Sequence, residues 1–151
     1  MHNKSATGEP LKILLVEDNP AHAEMVIRSF ETNRVANTIN HVVDGEQALE
    51  YLNNEGAYKD KDKYELPHVI LLDLRLPKID GLEVLATIKD SDRLKSIPVV
   101  ILTTSAAEID VAKAYKHHAN SYLVKPIDFD SFTNMMDDLG YYWLAWNHKP
   151  F

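Results

Sequence analysis

The chain of 151 residues contains no cysteine, which excludes disulfide bonds and thiolate metal sites. Nothing in its N-terminus resembles a signal peptide or a membrane span, so we expect a cytoplasmic location and no membrane partner. Basic residues are in the minority: 16 lysines and arginines stand against 23 acidic residues, and the net charge is -7. Broad nucleic-acid binding needs a basic surface that replaces phosphate counterions. We therefore expect no nucleic-acid partner.

The composition is typical of one folded domain. The hydrophobic fraction of 45% comes with charges of both signs, and a chain of this length can bury a substantial core. Residues 1–10 show no apolar periodicity and are predicted to form a flexible tail. We expect the domain to occupy residues 11–139, with residues 140–151 extending its last helix.

The most informative stretch is the apolar run 69–72 followed by Asp73. An unbroken run of β-branched residues and leucines is typical of a strand buried on both faces, here one that ends at the carboxylate. Pro77 and the pair Asp80-Gly81 then predict a loop, so Asp73 should face a crevice. Open α/β sheets bind their ligands at this edge.

The rest of the chain alternates between apolar runs and helical patterns. Further strands are predicted over residues 11–16, 37–43, 99–102 and 121–124, and helices over about 21–33, 45–52, 81–90, 106–117 and from 129 onward. Met25, Ile27 and Phe30 are the candidate core residues of the first helix. Residues 53–67 are strongly charged and predict a solvated loop. Five strands that alternate with five helices indicate a doubly wound α/β domain with a parallel sheet.

Polar residues follow four of the predicted strands, namely Glu17-Asp18, Asp73, Thr103 and Lys125. In a parallel sheet these positions meet at one edge. Three carboxylates about 4 to 5 Å apart would repel by roughly 3 to 4 kcal/mol per ionised pair at an effective dielectric near 20. Lys125 offsets part of that repulsion, and Mg²⁺ with oxygen ligands is the better match. A metal, a lysine, a hydroxyl and a nucleophilic carboxylate are the groups that phosphoryl transfer to Asp73 requires.

Four motifs, taken together in order, resemble the receiver domains of two-component response regulators over residues 11–139. They are Leu-Leu-Val-Glu17-Asp18-Asn-Pro, Leu-Leu-Asp73-Leu-Arg-Leu-Pro-Lys-Ile-Asp-Gly81, Val-Ile-Leu-Thr103-Thr-Ser and Tyr122-Leu-Val-Lys125-Pro126. The resemblance implies a flavodoxin-like (βα)5 fold with five parallel strands in the order 2-1-3-4-5. It also implies a signalling protein rather than an enzyme.

The resemblance further implies that Asp73 accepts a phosphoryl group from a sensor histidine kinase. In that family the acceptor, here Asp73, binds Mg²⁺ together with Asp18 and the backbone carbonyl of Arg75, while Glu17 helps through water. These four residues are the expected metal site.

The resemblance assigns the other side of the site to the phosphoryl group. Thr103 and Lys125 would hold its oxygens and complete the reactive set with Asp73. Tyr122 matches the aromatic switch position and is expected to turn inward when Thr103 moves toward the phosphate.

An aromatic stripe on the last helix predicts a contact surface beyond the domain. Its members recur at spacings of three and four and are Phe129, Phe132, Met136, Leu139, Trp143 and Trp146. We expect a homodimer that uses the helix at 106–117, the strand at 121–124 and the last helix, with Phe132, Met136, Trp143 and Trp146 at the interface. The alternative is that these aromatics fold back over their own domain.

A stand-alone receiver with a charged segment before its central strand also resembles the small regulators that pair with bacterial and cyanobacterial phytochrome kinases. Two alternative functions come from other classes. One is a dimeric interaction module that signals without phosphate. The other is a phosphatase of the haloacid dehalogenase type with an aspartyl nucleophile, whose Asp-x-Asp pattern is broken here because Arg75 takes the place of the second aspartate.

Overall fold

The structure, a computed structural model, describes residues 11–31, 37–103, 113, 116, 119, 121–125 and 129–138. Its elements are β1 (Leu11–Val16), α1 (Pro20–Glu31), β2 (Asn37–Val42), α2 (Gly45–Leu52), a 3-10 turn (Gly56–Tyr58), β3 (Val69–Asp73), α3 (Gly81–Asp90), β4 (Val99–Thr103), β5 (Ser121–Val124) and α4 (Phe129–Asp138). The helix predicted at 106–117 lies outside the described residues, apart from Lys113 and Lys116, which are helical. No helix among the described residues is long and apolar enough to span a bilayer.

The five strands form one parallel sheet in the order β2-β1-β3-β4-β5, which confirms the predicted fold. The register aligns the carboxyl ends of the three central strands. Val16 pairs with Leu72, Asp73 pairs with Leu102, and Thr103 pairs with Val124. The residues that end or follow these strands therefore emerge side by side at one edge.

Alternate residues of the central strands enter two separate hydrophobic cores, one on each face of the sheet. Leu14, Val16, Ile70 and Leu72 pack against α2 and α3. Their chain neighbours, such as Leu15 and Leu71, face α1 and α4. Every residue of β3 is buried. This two-sided burial explains why the strand sequences are continuous apolar runs without alternation.

Helix α1 buries a narrower stripe than its apolar residues suggested. Ala23, Val26 and Phe30 are buried at spacings of three and four, and Ile27 packs at the margin of the core. Met25 is 50% exposed, so its predicted place in the core is wrong. It precedes Val26 by one residue and is therefore rotated about 100° from the stripe.

Phe132 of α4 packs against Phe30 of α1, with their ring centroids 5.0 Å apart in an edge-to-face arrangement. Its exposure is 0%. That position contradicts the prediction that Phe132 belongs to a dimer interface, because a side chain without exposed surface offers no contact area to a second copy. The side chain of Met136 and the residues Trp143 and Trp146 lie outside the described residues.

The pair Phe30 and Met25 provides a test of the α1 packing. Replacing Phe30 by alanine should lower the free energy of unfolding by about 3 to 5 kcal/mol, because burial is lost and a cavity forms. Replacing Met25 by alanine should change it by less than about 0.5 kcal/mol. Urea unfolding followed by circular dichroism measures both values. Equal losses in the two variants would contradict the packing described here.

The charged segment 53–67 is not a fully solvated loop, because side chains within it pack against the domain. Its Tyr58 and Tyr64 pack against Tyr51 of α2, with ring centroids 5.1 to 5.7 Å apart in all three pairs. The Asn54 side-chain amide donates to the backbone carbonyls of Tyr58 and Tyr64, at 3.1 Å each. The segment is therefore held to α2 by aromatic contacts while its lysines and aspartates face solvent.

Candidate functional site

A crevice of about 240 Å³ opens at the carboxyl edge of the sheet. The residues that line it are Glu17, Asp18, Asn19, His22, Asp73, Arg75, Thr103 and Lys125. The structure thus brings together all the predicted metal and phosphoryl residues and adds Asn19 and His22, which the sequence reasoning missed. Tyr122 is not among the lining residues.

Three carboxylates form the acidic side of the crevice. Glu17 is fully buried, Asp73 is nearly so, and Asp18 is exposed. One oxygen of each lies within 4.8 Å of the others. Three hard oxygen donors at this spacing match the ligand preference of Mg²⁺ and other hard divalent cations. The donor set therefore fits the metal that the sequence predicted.

The turn from β1 to α1 orients the Glu17 carboxylate and fixes the start of α1 beside the crevice. The backbone N–H of Asn19 donates to Glu17 Oε2 at 3.1 Å and orients that carboxylate. The side-chain oxygen of Asn19 accepts hydrogen bonds from the N–H groups of Ala21, at 2.9 Å, and His22, at 3.1 Å. Asn19 is therefore the N-cap of α1, with Pro20 in the first helical position that suits proline.

Lys125 provides the positive charge of the site. The backbone N–H of Lys125 donates to the Thr103 carbonyl at 2.7 Å, which continues the β4–β5 pairing and places the lysine beside β4. Its ammonium group forms ion pairs with Glu17 Oε1 and, at 3.1 Å, with Asp73 Oδ2. It also lies 3.2 Å from His22 Nδ1. The side chain is only 7% exposed, so these partners replace most of its hydration.

The pKa of Glu17 is raised to about 7, chiefly by burial and also by the hydrogen bond to the Asp73 side chain. The hydrogen bonds from Lys125 and from the backbone of Asn19 act in the opposite direction. One lysine thus offsets only part of the cost of holding two carboxylates in a desolvated position. A further cation in the crevice would relieve the remaining repulsion.

Asp73 is held by both of its oxygens. Oδ1 accepts a hydrogen bond from the backbone N–H of Arg75 at 3.0 Å, while Oδ2 faces Lys125. The loop after Asp73 is closed by the N–H of Gly81, which donates to the Leu74 carbonyl at 3.1 Å. The carboxylate is therefore presented to the crevice in one orientation.

The two predicted switch residues occupy different environments. Thr103, the last residue of β4, is buried and lines the crevice. Tyr122 lies opposite Ile101 in the β4–β5 pairing and is partly buried against the core on the α2–α3 face. Its inward rotation stays a prediction.

His22 and Asn19 could have been found from one local signal. The sequence Asn19-Pro20 after a strand predicts an N-cap and the first residue of a helix, which makes His22 the third helical residue. The first turn of such a helix starts at the same sheet edge as the acidic residues. A polar side chain there is a candidate for the crevice wall.

Comparison with known protein families gives a match over most of the chain. The model of the response regulator receiver domain matches residues 13–137. The probable methanogenesis regulatory protein FilR2 of Methanothrix harundinacea (strain 6Ac) is 48% identical over 143 residues, which cover 94% of this chain and 89% of the relative. The response regulator Rcp1 of Synechocystis sp. is 41% identical over 138 residues, which cover 91% of this chain and 92% of Rcp1.

Three solved structures share the fold and much of the sequence. The bacteriophytochrome response regulator RtBRR superposes with a TM-score of 0.81 at 44% identity, covering 94% of this chain and 85% of RtBRR. The Mn(2+)-bound form of Rcp1 gives 0.72 at 39% identity, with 94% and 100% covered. The phosphorylated cyanobacterial phytochrome response regulator RcpA gives 0.74 at 39% identity, with 91% and 96% covered.

Proposed function

This chain belongs to the response regulator receiver domain family, and from that premise we propose that Asp73 accepts a phosphoryl group from a histidine kinase. The observation that carries the proposal is the setting of Asp73, a nearly buried carboxylate oriented by Lys125 and by the amide of Arg75 at an open crevice. Members of this family are in general signalling proteins rather than enzymes. The phosphorylated form of RcpA supports the same chemistry here.

Mg²⁺ is the proposed cofactor. Asp18, Asp73 and the backbone carbonyl of Arg75 would hold it, with Glu17 contributing through water. The acidic cluster and the Mn²⁺-bound structure of Rcp1 support a divalent ion at this position. When bound, the ion neutralises charge on the transferring phosphoryl group.

The residues of the chain supply the nucleophile and the anion-binding groups. A carboxylate oxygen of Asp73 forms the new bond to phosphorus as the bond to the donor breaks, and no base is needed because an ionised carboxylate carries no proton. Lys125 then donates to a phosphoryl oxygen. The Thr103 hydroxyl, at the end of the neighbouring strand, donates to another.

The proposed output is a shift between two surface states. Movement of Thr103 toward the phosphoryl group would leave space into which Tyr122 turns. The bacteriophytochrome and phytochrome names of RtBRR and RcpA support a phytochrome-type histidine kinase as the partner. The downstream partner would recognise the altered surface around β5.

We also propose a homodimer whose interface includes β5. This strand lies at the edge of the sheet, and its Val124 is 43% exposed. Met136, Trp143 and Trp146 would extend the contact. Replacing both tryptophans by alanine should shift the protein toward monomer in light scattering. Replacement of exposed Met25 by alanine is the control. An unchanged mass in the tryptophan variant would contradict the proposed interface.

Intact-mass spectrometry with acetyl phosphate and Mg²⁺ tests the phosphorylation proposal. The wild-type protein should gain one phosphoryl group, and the gain should disappear with a chelator or in Asp73→Asn. The matched control is Asp80→Asn, because Asp80 is an exposed aspartate on the same loop and makes no side-chain capping bond. Phosphoryl uptake by Asp73→Asn at the wild-type level would refute the proposal.

A further inference from the structure

We propose that His22 is a positioning residue for phosphoryl transfer, because it accepts a hydrogen bond from Lys125 and so holds that ammonium group beside Asp73. This inference rests on the proposed function. His22 is not one of the residues that the receiver motifs assign to the site. It acts on the reaction through Lys125 and not through the metal.

Because lysine can only donate hydrogen bonds, it determines which nitrogen of the His22 ring is the acceptor. An ammonium group has three N–H donors and no lone pair. Its nitrogen lies 3.2 Å from His22 Nδ1, so Nδ1 must be the acceptor and the ring proton must be on Nε2. A charged imidazolium would instead place one donor against another. Among the described residues, His22 is therefore a neutral acceptor for Lys125 beside the two carboxylates of Glu17 and Asp73.

The sequence holds His22 in place through the start of α1. Its backbone N–H donates to the side chain of Asn19, and the N–H of Ala23 donates to the Asn19 carbonyl at 3.0 Å. Ala23 and Val26 are buried against the sheet, so the first turn is anchored on its other side. The partly buried ring is thus carried on a backbone fixed at both the cap and the core.

The neutrality of His22 gives it a role that the two carboxylates cannot fill. Charge-assisted bonds to Glu17 and Asp73 draw Lys125 toward the acidic side of the crevice. Phosphorylation converts the Asp73 carboxylate to an acyl phosphate and requires the same ammonium group to turn toward a phosphoryl oxygen. A bond to a neutral nitrogen is weaker than a bond to a carboxylate. It can orient Lys125 without competing by charge with the phosphoryl oxygens.

The test compares wild type, His22→Leu and His22→Asn at saturating acetyl phosphate and Mg²⁺. Leucine removes the acceptor, while the asparagine oxygen can take the position of Nδ1. We expect the maximal rate of phosphorylation to fall about tenfold in His22→Leu and to recover to within about threefold of wild type in His22→Asn. The dissociation constant of Mg²⁺, measured by calorimetry, should stay within about twofold in both variants, because His22 is not a predicted metal ligand.

Any of four other results would overturn the inference. Equal rates in the three proteins, or equal slowing in both variants, would overturn the inference, since a merely structural role does not distinguish an acceptor from an apolar side chain. A parallel loss of Mg²⁺ affinity would overturn it as well, because His22 would then act through the metal. A wild-type protein that takes up no phosphoryl group would overturn the proposed function and this inference with it.

Discussion

Replacement of Lys125 by methionine is expected to slow phosphorylation by about a hundredfold or more while Mg²⁺ binds more tightly. The rate falls because a preorganised donor to the phosphoryl oxygens is lost, a change that typically costs two to three orders of magnitude. Metal affinity rises because the ammonium group that is paired with Glu17 and Asp73 no longer competes for their oxygens. Methionine keeps the apolar stem of the side chain, so the two effects report on the charge.

Calorimetric titration with Mg²⁺ and the rate of acetyl phosphate uptake measure the two effects separately. The control is Lys95→Met, which removes the same charge from a surface pair with Asp92 where the lysine side chain is 57% exposed. Neither quantity should change by more than about twofold in the control, since exposed pairs contribute little. Weaker Mg²⁺ binding in Lys125→Met would show that the lysine supports the metal site rather than competing with it.

Replacement of Gly81 by alanine is expected to displace Asp73, because Gly81 packs closely against the backbone at the end of β3. A Cβ atom at this position would lie 2.4 Å from the carbonyl oxygen of Asp73 and 2.7 Å from Cα of Leu74. Both are backbone atoms, so the strand end or the start of α3 must move. We expect a loss of about 3 kcal/mol in the free energy of unfolding, at the upper end of overpacking costs. We also expect Mg²⁺ affinity to fall more than about tenfold, because Asp73 moves with its backbone.

The matched control for this variant is Gly56→Ala. Gly56 has a φ of +57°, but the atoms nearest to an added Cβ belong to the flexible end of Glu50, the first at 3.2 Å. The cost should be about 1 to 2 kcal/mol of backbone strain, with no effect on metal binding. Urea unfolding and Mg²⁺ titration measure both variants. If Gly81→Ala bound Mg²⁺ as wild type does, the close contact between α3 and the end of β3 would not position Asp73.

The sheet and the acidic edge could be predicted because buried parallel strands leave a strong local signal. Strands β1, β3 and β4 are apolar on both faces, and a polar residue ends or follows each of them at the same edge, namely Glu17, Asp73 and Thr103. The side of a helix that a single residue faces depends on a rotation of about 100° per residue. The apolar pattern of α1 therefore predicts the wrong side of the helix for Met25.

Contacts between distant residues could not be predicted in this way. Phe132 packs against Phe30, and Lys125 meets His22 across 103 residues of sequence. Neither pairing has a signature in local spacing. The order in segment 53–67 likewise depends on a tyrosine of α2 that lies outside the segment. Such features follow from how the elements pack, which the sequence pattern alone does not specify.

The most direct test of the central claim is to identify the phosphorylated residue. The protein is treated with acetyl phosphate and Mg²⁺, reduced with borohydride to convert an acyl phosphate to homoserine, and analysed by peptide sequencing in a mass spectrometer. We predict homoserine at position 73 and at no other aspartate. Homoserine at position 18, or a phosphoryl group on a histidine with Asp73 unmodified, would contradict the account.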